Sequence, residues 1–225
     1  FNEERYIRQT LARVPKFVDR VIVVDDASSD QTWSELRGLK DRRVIRVRRA
    51  TNSGVGAAIV SGYRRAIVED ADWIAVMAGD DQMDPADLSR LLEASHRKPN
   101  VDYVKGNRFL HADYRKMPFL RRLGSRTLSW LTRRCTRLEV GDCQCGYTLI
   151  RASTAAALPL GILWPRYGYP NDLLALLAQD RRNVEEVAVR PVYKDERSGL
   201  HPGHVLSIAV RILRRRALQG TPRAL

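Results

Sequence analysis

DWIAVMAGDDQMDP, residues 72–85, changes character halfway along. Trp73 to Met77 is an apolar run with the length and composition of a buried strand. It breaks at Gly79 into Asp80, Asp81, Gln82 and Asp84, and Pro85 then opens a new segment. Carboxylate and amide oxygens are hard ligands that suit Mg²⁺ or Mn²⁺, with the phosphates of a nucleotide completing the shell. The same residue types also make an ordinary strand-to-helix turn. The stretch alone leaves both readings open.

The flanking chain repeats the theme. Upstream, the β-branched run Val21 to Val24 predicts a buried strand, ending in the polar loop Asp25-Asp26-Ala27-Ser28-Ser29-Asp30. A helix is expected from about Gln31 to Leu39, a strand over Val44 to Val47, and a small-residue helix over Ala57 to Val68, opened by Asn52-Ser53-Gly54-Val55-Gly56. Residues 3–14 have helical spacing, with Asn2 as the expected N-cap. Downstream, Pro85 suits a first helical position, and Leu88, Leu91 and Leu92 give that helix an apolar face. Another strand starts at Tyr103-Val104 and ends at Gly106-Asn107-Arg108. Strand alternating with helix predicts an α/β fold, βα units on a mostly parallel central sheet flanked by helices. Ligands of such sheets bind at the carboxyl ends of the strands. Asp25-Asp26, Asp80-Asp81 and Asn107-Arg108 all fall there, so they are expected to share one crevice.

The second part is less regular. Residues 111–137 interleave arginines and Lys116 with Met117, Phe119, Leu120, Leu123, Leu128 and Trp130, and residues 204–218 do the same. Each reads either as a solvated basic helix face or as a surface for anionic lipid. Asn171-Asp172 is expected to cap an apolar helix, and Val184 to Val192 to form an edge strand. Residues 1–200 are taken as one domain and 201–225 as a basic amphipathic C-terminal segment.

A chain of 225 residues, 44% of them hydrophobic, suits one large core. Lys and Arg number 39 against 26 Asp and Glu, and the resulting +13 implies an anionic partner. Nucleic acid is disfavoured: aromatics are 7%, and the basic residues cluster away from the crevice. No run approaches the roughly 18–20 apolar residues of a membrane span. Three cysteines, two of them as Cys143 and Cys145, make no disulfide framework and fit a reducing cytosol. The chain opens at Phe1 directly on a helix-like segment, so a first strand is expected to precede it.

Set in order, these motifs resemble a known family. Phe1-Asn2-Glu3-Glu4 is similar to the end of Pro-Ala-Tyr-Asn-Glu-Glu. Val24-Asp25-Asp26-Ala27-Ser28-Ser29-Asp30 is similar to Val-Asp-Asp-Gly-Ser-x-Asp, and Asn52 to Ala58 to Asn-x-Gly-x-Gly-x-Ala. Ala78 to Gln82 is similar to Asp-Ala-Asp-x-Gln, with Ala78 in place of the first Asp. Gly106-Asn107-Arg108-Phe109 is similar to Gly-Ser-Arg-Phe, and Asp142 to Tyr147 to Asp-x-Gln-x-Gly-Phe. Through them the chain resembles, over nearly its whole length, the family 2 inverting glycosyltransferases of GT-A fold, above all the dolichyl- and polyprenyl-phosphate sugar transferases.

The resemblance implies a donor site in which Glu3, Asp25 and Asp26 meet the base or ribose of a nucleotide-sugar, UDP-glucose or GDP-mannose in type. Asp80 and Gln82 would be the metal ligands for Mg²⁺ or Mn²⁺, with Asp81 a substitute for the missing carboxylate. Arg108, Arg122 and Arg197 match acceptor-phosphate positions. Asp142 is the candidate base for a hydroxyl acceptor. For a lipid phosphate, already anionic, it is instead an orienting or loop-fixing residue. A polyprenyl or dolichyl phosphate acceptor implies a cytoplasmic enzyme resting peripherally on an anionic membrane. The rivals are a transferase to a soluble or glycan hydroxyl, and a binding module for nucleotide or nucleic acid without catalysis.

Overall fold

The computed structural model describes residues 1–192 and the helix 202–219, with side chains described over 206–216 of that helix. Six strands and eight helices are described: β1 (Val21–Asp25), β2 (Val44–Arg48), β3 (Trp73–Val76), β4 (Tyr103–Asn107), β5 (Thr148–Arg151) and β6 (Val184–Ala188), with α1 (Ile7–Ala12), α2 (Thr32–Arg37), α3 (Val55–Val68), α4 (Leu88–Arg97), α5 (Phe119–Thr136), α6 (Ala152–Ala157), α7 (Tyr169–Gln179) and α8 (Pro202–Gln219).

β1 and β2 pair in parallel. The other strands form a four-stranded sheet in the order β3-β5-β4-β6. β5 runs antiparallel to both neighbours, while β4 and β6 are parallel. The βα alternation expected from sequence is present, with β5 inserted between β3 and β4. β6 closes one edge of this sheet, as its Pro191-terminated sequence suggested.

Alternation along the strands sends side chains to two cores. Tyr103 and Ile150, paired in register, join a large core with Tyr63 of α3, Leu128 of α5 and Leu173, Leu174 and Leu177 of α7. Val104 and Leu149, the next pair, face Leu88 and Leu91 of α4. A sheet covered on both faces needs apolar residues on both, which is why its strands read as continuous apolar runs.

Two helix starts differ from expectation. Asn2 does not cap α1, which begins at Ile7; it accepts a hydrogen bond from the Ser29 amide at 3.0 Å and donates its own amide to Ser28 Oγ at 3.0 Å. The N-terminus is thus tied to the loop after β1. Asn171 and Asp172 lie inside the first turn of α7, both buried, because the helix already starts at Tyr169 after Gly168, with Pro170 next. Asp172 instead receives Arg211 and Arg215 of α8, and its nearest distance to the buried Arg215 is 2.7 Å. With Ile208 and Ile212 buried in the large core, α8 packs as an integral layer on α5 and α7.

Candidate active site

The ends of β3 and β4 converge, whereas Asp25 and Asp26 after β1, expected in the same crevice, do not line it. Asp80, Gln82 and Arg108 line one polar cleft of about 170 Å³, together with Arg121, Gln144, Tyr147 and Arg190. A larger hollow of about 360 Å³ lies between α4 and β6 and contains none of the predicted site residues.

The acidic loop is held from α1. The Asp80 carboxylate accepts the Gln82 amide at 3.0 Å, a local turn that fixes both residues. Thr10 donates to the Gly79 carbonyl at 3.2 Å. Glu3 lies over the same loop: a Cβ on Gly79 would sit 3.8 Å from its Cγ. Asp81 takes a left-handed backbone, φ 58°, and its buried carboxylate receives Arg13 at 2.7 Å. Arg13 also reaches Asp84 at 3.2 Å, and Asp84 caps the turn begun by Pro85.

Asp25 ends β1 and Asp26 follows it, both as buried carboxylates. Asp25 accepts the Ser28 amide at 3.1 Å and also its hydroxyl, and Arg48 lies 3.4 Å away. Asp26 pairs with Arg49 at 2.8 Å and accepts the Gly54 amide at 2.6 Å and that of Ser53. It anchors the entrance to α3. The glycines there serve close approach: Gly54 has φ 100°, and a Cβ on Gly56 would lie 2.1 Å from the Trp164 carbonyl oxygen. Ala57 donates its amide to the Pro165 carbonyl at 3.0 Å, so the 164–166 loop lies against this turn.

Asp142 is fully buried, and Arg108 holds both of its oxygens, at 2.7 and 2.9 Å, while donating its backbone amide at 3.1 Å. Burial pushes the Asp142 carboxyl up, but the charge and hydrogen bonds of Arg108, helped by Lys105, hold it below the usual carboxylate range. Such a carboxylate orients a guanidinium and is a weak proton acceptor. Burial raises the Cys145 thiol, so this wall of the cleft carries no thiolate. The three cysteines are free and buried.

Arg122 differs from expectation. It is absent from the cleft lining, and its guanidinium lies over the Phe119 ring, 5.7 Å from the centroid. Arg121, one residue earlier and so about 100° away around α5, lines the cleft instead. Arg197 lies outside the described residues. Arg13, Arg121, Gln144 and Arg190 are additions to the residues expected from sequence. Gln144 was visible in the Asp-x-Gln-x-Gly motif, whereas the arginines sit among many others and carry no local signal.

The donors fit a divalent cation only as part of a shell. Asp80 and Gln82 share the cleft, Asp81 is committed to Arg13, and Ala78 contributes no oxygen. Among the described residues no three His, Cys, Asp or Glu side chains cluster as a metal site. An ion at Asp80 and Gln82 therefore requires oxygens from a bound diphosphate, which Mg²⁺ and Mn²⁺ accept readily.

Strand ends that gather Asp80, Gln82 and several arginines into one polar cleft define an α/β protein built to hold an anionic ligand. Residues 1–157 match the family described as Glycosyl transferase family 2, and the chain belongs to that family. It is 30% identical over 218 residues to an undecaprenyl-phosphate mannosyltransferase of Micrococcus luteus, covering 93% of this chain and 88% of that one. It is 24% identical over 211 residues to a UDP-N-acetylglucosamine–dolichyl-phosphate N-acetylglucosaminyltransferase of Methanococcus voltae, covering 87% and 84% of the two. The fold is that of glucosyl-3-phosphoglycerate synthase from Mycobacterium tuberculosis, solved with phosphoglyceric acid, at a TM-score of 0.71 and 19% identity over 100% of this chain and 79% of that one. The same enzyme solved with Mn²⁺, UDP and its product aligns at a TM-score of 0.67. The GT-A architecture is thereby shown.

Proposed function

We propose that the chain transfers a hexose from a nucleotide-sugar, UDP-glucose or GDP-mannose in type, to a polyprenyl or dolichyl phosphate with inversion at the anomeric carbon. The observation that carries the acceptor is the Arg108–Asp142 pair. Asp142 is sealed, charged and fully engaged, and Asp80 is the one carboxylate lining the cleft among the described residues. A hydroxyl acceptor needs a base to take its proton, whereas a phosphate monoester arrives as an anion and needs only positioning. The polyprenyl- and dolichyl-phosphate relatives named above support the same choice.

In this reading Glu3, Asp25 and Asp26 serve the nucleotide side, where carboxylates would accept hydrogen bonds from a base imide or ribose hydroxyls, Asp25 and Asp26 doing so besides holding Ser28, Arg48 and Arg49. Asp80 and Gln82 would hold Mg²⁺ or Mn²⁺, which supplies positive charge at the departing diphosphate. Arg108, Arg121 and Arg190 orient the acceptor phosphate and offset negative charge in the cleft. An acceptor phosphate oxygen attacks the anomeric carbon opposite the diphosphate. A new C–O bond forms as the old one breaks, and the nucleoside diphosphate leaves with the electron pair; no proton need move. No helix among the described residues is long and apolar enough to cross a membrane. Exposed Leu120, Leu123 and Trp130 on α5, and Leu206 and Leu213 on α8, lie among arginines and suit peripheral contact with an anionic lipid surface.

The test is a panel of nucleotide-sugars offered with polyprenyl phosphate, with and without Mg²⁺ or Mn²⁺. Metal-stimulated formation of a lipid-linked sugar is expected. Transfer only to hydroxyl acceptors, or nucleotide binding without any product, overturns the acceptor assignment.

A further inference from the structure

We infer that Glu186, on β6, is a positioning residue that clasps the loop carrying Asp142 and so aims Arg108 into the cleft. Its carboxylate is shared among three donors. Oε2 accepts the Gly141 backbone amide at 2.8 Å and the Asn107 side-chain amide at 2.8 Å, and Oε1 accepts the Asp142 backbone amide at 3.0 Å. Two consecutive peptide units are thus pinned by the two oxygens of one side chain, which fixes the origin of the Asp142 side chain. Asp142 in turn takes the guanidinium of Arg108 and its backbone amide.

The clasp also grips the other end of that pair. Asn107 precedes Arg108, and its Oδ1 accepts the Phe109 amide at 2.9 Å. Gly141 fits this arrangement because a Cβ there would stand 2.6 Å from Asn107 Nδ2 and 3.3 Å from Glu186 Oε2. A negative side chain beside buried, negative Asp142 is electrostatically costly unless it is held by donors, and all three donors belong to the two loops that build the Arg108–Asp142 pair. Glutamine at 186 has the same shape but one acceptor oxygen. Its amide group would face Asn107 Nδ2 and the Gly141 amide, or else the Asp142 amide, donor against donor.

The kinetic consequence rests on the transferase reading; the clasp does not. In the full chain, Glu186→Gln is expected to lower kcat roughly ten- to a hundredfold, the scale of a reacting group displaced by about 1 Å, with the donor KM little changed. Combined with Asp142→Asn, it is expected to be no slower than Asp142→Asn alone, since both act through Arg108. An unchanged kcat, or losses that multiply in the double variant, overturns the assignment. A second readout needs no turnover. In ¹⁵N-labelled protein the Arg108 Nε–H signal, identified by its loss in Arg108→Lys, should exchange slowly in the wild type and rapidly in Glu186→Gln. If exchange stays slow, the clasp is refuted. Gly141→Ala strikes the same contacts from the loop side, is expected to speed that exchange equally, and carries the test should Glu186→Gln fail to fold. A wild-type chain that transfers no sugar refutes the functional reading and leaves the clasp to be judged on this signal.

Discussion

Arg13 Nη1 donates to Asp81 Oδ1 at 2.7 Å, and this contact separates the adjacent carboxylates of the acidic loop. Asp80 lines the cleft, while Asp81 is buried against α1. The two should therefore behave differently on substitution. Asp80→Ala is expected to lower transfer at least a hundredfold and remove stimulation by Mg²⁺ or Mn²⁺, with an unchanged circular dichroism spectrum. Asp81→Asn, which tolerates the left-handed backbone, should retain metal-dependent transfer. Its cost falls on folding: about 1 kcal/mol for an ion pair with one half-exposed partner, or a Tm roughly 2–4 °C lower for a chain of this size. A metal titration and a thermal melt of each variant decide the matter. Loss of metal response in Asp81→Asn with Asp80→Ala unaffected would reverse the assignment.

Arg121 and Arg122 are neighbours in sequence and face different surroundings. Arg121 lines the cleft, whereas Arg122 lies over Phe119 on the helix surface. A hydrogen bond to a charged group contributes about 1.5–3 kcal/mol, so Arg121→Ala is expected to lower kcat/KM for the phosphate acceptor roughly ten- to a hundredfold. Arg122→Ala should remain near wild type in the same assay, and equal losses would return Arg122 to the site.

That pair shows what the sequence can and cannot disclose. Apolar runs ending in Asp, Asn and Gly mark β1, β3 and β4, because burial and turn chemistry are local, and the ends of β3 and β4 meet in one cleft while Asp25 and Asp26 lie outside its lining. Asp80, Gln82 and Arg108 were legible for that reason. The choice between Arg121 and Arg122 depends on how α5 is rotated against the sheet, which no local pattern records. The antiparallel insertion of β5 is a pairing between residues far apart in the chain, which no local pattern records either. Asn2 and Asn171 have the residue type that favours caps generally, yet neither caps its helix. Here one is taken by Ser28 and Ser29 and the other is buried beside Thr132 and Cys143.

Acid should loosen α8. Burial raises the Asp172 carboxyl, but Arg215 and Arg211 outweigh it and hold it below the ordinary value. A carboxylate with a depressed folded pKa adds stability that is fully present above the unfolded value, about 4, and is lost as pH falls through the folded pKa. Melting curves between pH 7 and pH 3 should show wild-type stability falling below about pH 4. Asp172→Asn is expected to start lower at pH 7 and fall less steeply. Parallel curves for the two proteins would show that Asp172 is not linked to acid unfolding.

The inner face of α8 is used by the fold, so the peripheral membrane contact proposed above would come from its outer face and from α5. Arg211 and Arg215 point to Asp172, and Ile208 and Ile212 are buried. That leaves Leu206 and Leu213 exposed on α8 and Leu120, Leu123 and Trp130 exposed on α5, with Arg126, Arg133 and Arg214 exposed on the same two helices. Partition of such a face combines apolar insertion with about 1 kcal/mol for each basic residue near an anionic surface. The wild-type chain is expected to float with vesicles containing phosphatidylserine at low salt, and to be released at high ionic strength. Leu120→Ser with Leu123→Ser should weaken flotation without changing the Tm, because both side chains are already in water. Transfer to a short-chain, water-soluble polyprenyl phosphate should survive in that double variant, while transfer to a vesicle-borne acceptor falls. Equal flotation of the variant and the wild type would move the docking surface away from α5.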